Sequence, residues 1–97
     1  MKMGKNRQNK RIEFALGSRF DRVEYLAPRF FREILRMDYD NVIFVSDLSD
    51  IRDFPAGKDV VAVLRRFEEH YFLDPSRAES THIVHLLELL DRNGVSA

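Results

Sequence analysis

Arg22, Tyr25, Arg29, Arg32 and Arg36 follow one another at intervals of three, four, three and four residues. That spacing puts side chains on one face of a helix. Planar guanidinium groups offer paired donors to phosphate oxygens, and a phenol ring offers a surface for stacking, so the stripe fits contact with nucleic acid. Segment 1–11 carries Lys2, Lys5, Arg7, Lys10 and Arg11 with no apolar stretch to bury. It reads as a flexible basic tail that would add to the same field. The competing reading is a solvated helix face whose arginines pair locally with Asp21 and Glu33.

Two further groups of residues have chemical potential. Asp38, Asp40, Asp47, Asp50 and Asp53 lie close together with Ser46 and Ser49. The apolar run ending at Asp47 resembles the nucleophile strand of haloacid-dehalogenase-like phosphatases, but Ser49 stands where their second acid is needed. A calcium loop needs an oxygen ligand where Val42 stands and a glycine further on, and neither is present. Asx-turns and helix caps account for the acids. His82 and His85 fall one helical turn apart, and Glu79-x-x-His82 matches one half of a di-iron bundle pair. Such a site needs a second copy of the pair and two more carboxylates, and two imidazoles alone are too few for a closed zinc site. No metal and no cofactor are therefore assigned.

Cysteine is absent, which excludes disulfides, thiolate zinc sites and cysteine nucleophiles. There is no glycine-rich phosphate loop and no nucleophile beside a base, so the chain is not expected to be an enzyme. A reducing compartment, the cytoplasm, is expected, with no signal peptide and no membrane span. The net charge of zero hides an asymmetry. Residues 1–36 hold ten Lys and Arg against four acids, while residues 37–97 hold six against twelve. Such a split suggests an anionic partner or head-to-tail self-association.

The elements that must position these groups follow from hydrophobic periodicity. Phe20, Val23, Ala27, Phe30, Ile34 and Met37 keep a helical spacing, giving a helix over about 22–36. Pro28 falls inside it, and proline is tolerated only in a helix's first turn, so a helical turn followed by a restart at Pro28 is expected. Val42 to Val45 is a β-branched and aromatic run between turn residues, read as a strand, and 12–16 reads as a second, shorter one. Asp59 caps a helix over 59–73, facing inward with Val60, Val63, Leu64, Phe67 and Tyr71. Ser76 and Glu79 form a capping-box pattern opening a last helix over 77–92, closed by Asn93-Gly94. The fold class is therefore α+β: a tail over 1–11 and one globular domain over 12–97, small enough to bury only a thin core.

The apolar arc of the last helix decides the functional expectation. Beyond Ile83, Leu86, Leu87 and Leu90, Val84 widens the arc on one flank and Leu89 on the other, beside His82 and His85. A helix packed on one side needs a narrower stripe, so the excess predicts a protein interface at Val84, Leu89, His82 and His85. The expectation is a small non-catalytic interaction module that forms a homo-oligomer or binds another protein. The alternative is a nucleic-acid-binding regulator using the tail and the arginine stripe. Asp38-Tyr39-Asp40, Ser46-Asp47-Leu48-Ser49-Asp50 and Asp53-Phe54 also resemble a segment of small uncharacterised bacterial proteins; the resemblance implies a bacterial origin and no activity.

Overall fold

The computed structural model describes residues 19–42 and 44–97. Among the described residues, four α-helices are joined by 3₁₀ turns: α1 (Arg19–Val23), α2 (Ala27–Glu33), α3 (Val60–Tyr71) and α4 (Ile83–Arg92). Pro28 explains the break between the first two. Its ring would clash with the carbonyl four residues back, that of Glu24. The chain narrows to a 3₁₀ turn over Glu24–Leu26, and α2 starts with proline in its first turn. The stop of α2 comes earlier than the periodicity implies. Arg36 adopts a left-handed backbone (φ 58°), and the Met37 N–H turns back to the Phe31 carbonyl at 2.9 Å. The helix expected to reach residue 36 therefore ends at Glu33.

The α+β class is overturned, because the described residues form no strand and no sheet. Val42 is extended, but it and Val45 are buried in a helical core while Phe44 is exposed. β-Branched side chains here fill space between helices, and tertiary burial prevails over local strand propensity. The only bridge among the described residues is a single antiparallel one between Asp50 and His82. Ile51 N–H donates to the Thr81 carbonyl and Ile83 N–H to that of Ser49, at 3.2 and 2.8 Å. The tail 1–11 and the strand 12–16 of the sequence reading lie outside the described residues.

The last helix also begins later than expected. Asp74, not Ser76, does the capping, accepting from the Ser76 N–H at 3.0 Å and closing a 3₁₀ turn over Pro75–Arg77. Residues 81–83 are then occupied by backbone pairing with 49–51, so helical bonding starts only at Ile83. A capping box does occur, but at Asp50 and Asp53: Asp50 accepts from the Arg52 N–H and Asp53 from the Asp50 N–H. Asp59 caps α3 as its sequence position implies.

Phenylalanines tie the layers together. Phe30 of α2 meets Phe67 of α3 edge-on at 6.3 Å, and Phe31 meets Phe54 edge-on at 5.1 Å. α1 packs on α4. A cap from a distant loop fixes the start of α1: Asp47 accepts from the N–H groups of Arg19 and Phe20 at 3.0 and 2.9 Å. The surplus apolar arc of α4 is used inside the chain, since Val84 is 0% and Leu89 2% exposed. Buried on two sides, α4 needs the wide arc for its own packing, and the ground for an interface at Val84 and Leu89 is gone. No helix among the described residues is long and apolar enough to cross a membrane.

Candidate functional site

The five residues of the expected stripe divide into two kinds. Arg29 is structural. It donates through Nε to Glu33 at 2.8 Å and through Nη1 to the Ser96 carbonyl at 3.2 Å, and its guanidinium lies 5.1 Å over the Tyr71 ring. Tyr25 is structural too, donating its hydroxyl to Asp91, and that bond raises the phenol's pKa. Arg22, Arg32 and Arg36 remain exposed. Arg22 faces a shallow hollow of about 300 Å³ with Arg19, Arg92, Glu88 and Asp91. Arg32 and Arg36 line a different and larger pocket of about 680 Å³. No continuous arginine stripe results, because α2 ends before Arg36 and a 3₁₀ turn intervenes after Arg22.

The larger pocket is built from a helix and the turn that follows it. Pro28 and Arg32 sit one turn apart on α2. The left-handed residue Arg36 then bends the chain so that Met37, Asp38 and Tyr39 come back under the same opening. Asp38 caps the Tyr39–Asn41 turn through Oδ1, which accepts from the Asp40 N–H at 3.0 Å. Tyr39 is anchored from within: its hydroxyl donates to Glu24 at 2.7 Å, and its ring packs on Phe31 at 5.2 Å. Proline, methionine and tyrosine supply apolar lining, and the charged groups lie around it.

Charge at this pocket is loosely held. The Arg32 side chain is 68% exposed, and its ion pair is a long one, Nη2 to Glu33 Oε2 at 3.8 Å, while Arg29 Nε holds Oε1 at 2.8 Å. Arg36 has no ion pair or hydrogen-bond partner among the described residues. Two arginines thus line one cavity, Arg36 without an ion pair among the described residues and Arg32 in a long one. The volume falls within the range of small-molecule sites, roughly 300–1,000 Å³.

The histidines lie elsewhere, in a polar cluster that holds the chain together. The His82 and His85 rings stack with centroids 5.4 Å apart. His82 Nδ1 is 3.2 Å from Asp50, which also accepts from Thr81 Oγ1 at 2.7 Å and from Arg52 Nε at 2.8 Å. Burial would raise the Asp50 carboxyl, but the bonds from Arg52, Thr81 and His82 outweigh it and hold the group well below the usual carboxylate range. Ser80 Oγ lies 2.6 Å from His85 Nδ1, and Glu79 lies 3.2 Å from Nε2 on the other side of the ring. The order resembles a hydrolytic triad, yet the serine oxygen already accepts from the His82 N–H at 3.0 Å and Glu79 pairs with Arg19 at 2.6 Å. These contacts serve the turn before α4.

Glu79, His85 and Glu88 bring three potential metal-ligand atoms within 4.8 Å of one another. The seat is filled by a cation of the chain itself, since Arg19 Nη2 lies 2.6 Å from Glu79 and 2.5 Å from Glu88. The Arg19 bond lowers the Glu79 pKa accordingly. Sequence reasoning missed Pro28, Met37 and Tyr39 at the pocket and Arg19 as a structural hub; it singled out Asp38 and Asp50 only as members of an acidic run, not as a pocket residue and a hub. For Asp50 the three-residue spacing to Asp53 was an available signal; for the pocket no spacing rule exists, because a backbone bend creates it. Comparisons of the chain with protein-family models, curated proteins and solved structures gave no match.

Proposed function

We propose that this chain is a small non-catalytic binding module whose recognition site is the pocket over Pro28 to Asp40, and that the site takes an anionic group of its ligand. The observation that carries the reading is the convergence of Arg32 and Arg36, both without a close ion-pair partner among the described residues, on one cavity of about 680 Å³. Guanidinium groups bind carboxylate and phosphate oxygens through paired donors, and a concave site strengthens that interaction by partial removal of water. A cysteine-free chain with no such requirement for oxidation fits the cytoplasm as its compartment.

The nucleic-acid reading draws less support from this geometry. It needs Arg22, Tyr25, Arg29, Arg32 and Arg36 to act along one line, whereas Tyr25 and Arg29 are committed to Asp91 and Glu33. Self-association through α4 loses its motive for the reason given above. A protein-observed NMR titration with inorganic phosphate and with acetate, at constant ionic strength, tests the proposal. The expected result is saturable shifts in the amides of residues 36–40 and in the Arg32 and Arg36 Nε–H signals, abolished by Arg32→Ala with Arg36→Gly. Small unsaturable shifts spread over all basic side chains would refute it.

A further inference from the structure

The pocket carries carboxylate as well as guanidinium, and this restricts what it can accept. Asp38 and Asp40 border the same cavity as Arg32 and Arg36, and Asp40 already has a partner. The Asp38 Oδ1 is used by the Asp40 N–H, which leaves the second carboxylate oxygen with no protein donor among the described residues. A polyanion entering the site would gain two guanidinium contacts but meet a fixed carboxylate beside them, and like charges in close approach are unfavourable. A ligand carrying both an anionic and a cationic end meets each with its complement. Pro28 and Met37 add apolar lining to the same cavity, suited to a hydrocarbon body.

We infer that the ligand is a zwitterion of amino-acid type: a carboxylate placed against Arg32 and Arg36, an ammonium placed against Asp38, and an apolar side chain against Pro28 and Met37. The inference rests on the pocket being the binding site and adds the class of molecule that it takes. Arg36 gives a second line of support. It occupies a left-handed backbone position at which glycine is the least strained residue. An arginine there forgoes local stability and gains a guanidinium at the mouth of the pocket, which is the pattern expected where backbone strain serves binding.

The test compares three molecules of one shape: L-phenylalanine, N-acetyl-L-phenylalanine, which lacks the cation, and L-phenylalaninamide, which lacks the anion. Each is titrated into the full chain by protein-observed NMR. The zwitterion is expected to bind about tenfold more tightly than either relative, the size of one lost charge-assisted contact. Asp38→Asn keeps the turn cap, because asparagine caps as well as aspartate. It should bring L-phenylalanine down to the affinity of its N-acetyl derivative while leaving that derivative's affinity within twofold. Arg36→Gly should weaken L-phenylalanine and N-acetyl-L-phenylalanine alike in a chain that is no less stable. Equal binding of L-phenylalanine and the N-acetyl compound would overturn the zwitterion inference and leave the anion site standing. Equal binding of the amide would overturn both, as would no binding of any of the three together with no phosphate or acetate response.

Discussion

Replacing Asp50 with alanine should cost about 2–4 kcal/mol of folding stability, and the estimate can be assembled from its contacts. Asp50 is 7% exposed, and its carboxylate joins two pieces of chain, its own turn and the Thr81 and His82 stretch. It caps the Ile51–Asp53 turn through the Arg52 N–H, and losing such a cap costs roughly 0.5–2 kcal/mol. It accepts from Thr81 Oγ1 at 2.7 Å, and a hydrogen bond to a charged group is worth about 1.5–3 kcal/mol. The Arg52 guanidinium is exposed and adds little. Relief of the burial cost of a charge offsets part of the loss, which brings the sum down to the stated range. Urea denaturation followed by far-ultraviolet circular dichroism gives the difference, provided the slope m is unchanged. Asp50→Asn, which retains the cap, should lose less. The pH dependence follows from the direction of the carboxyl's shift. Its folded pKa lies below the unfolded value, so the stabilisation is fully present above the ordinary carboxylate range, starts to decline as pH falls below that range, and is gone only once pH falls through the lower folded value. The gap between wild type and Asp50→Asn should stay constant from about pH 5 to 7 and shrink below about pH 4. An Asp50→Ala protein within 0.5 kcal/mol of wild type, or a gap that widens in acid, would refute the hub.

Three other substitutions probe the fold. A Cβ added at Gly57 would stand 1.7 Å from the Ile51 carbonyl oxygen, so Gly57→Ala should destabilise by about 2–4 kcal/mol in the same denaturation assay. Phe72→Gly should raise stability by about 0.5–1 kcal/mol: the left-handed backbone at Phe72 costs about 1–2 kcal/mol for a side-chain-bearing residue, and glycine returns about 0.5–1 as unfolded-state entropy. Its ring is 88% exposed, so no packing is lost, and an unchanged or lower midpoint would contradict the strain argument. Leu89→Ala should cost about 2–5 kcal/mol as a core truncation; an effect under 1 kcal/mol, with a smaller mass by light scattering, would return Leu89 to an intermolecular role.

Helices α3 and α4 were legible because their apolar positions keep a period that only a helix satisfies, and Asp59 and Asn93 mark ends that chemistry alone can mark. The split around Pro28 was legible for the same reason. Val42 to Val45 misled, since a β-branched run has the same local signature whether it pairs in a sheet or plugs a gap between helices. The cap that Asp47 provides for Arg19 and Phe20 spans 28 and 27 residues, and no local pattern announces it. The arginine face was drawn on an ideal helical wheel, which fails once the backbone at Arg36 reverses hand. That reversal also makes the pocket, so the error about the helix and the omission of the site have one cause.

The settings of the three tyrosines have an optical consequence. The chain has no tryptophan, so its ultraviolet emission comes from Tyr25, Tyr39 and Tyr71. Tyr25 and Tyr39 hold their phenolic protons against the carboxylates of Asp91 and Glu24, an arrangement that drains the excited state by proton transfer. The Tyr71 hydroxyl is buried with no acceptor among the described residues. Light emitted by the native protein is therefore weighted toward Tyr71, which makes the end of α3 a label-free fluorophore for following this molecule in solution.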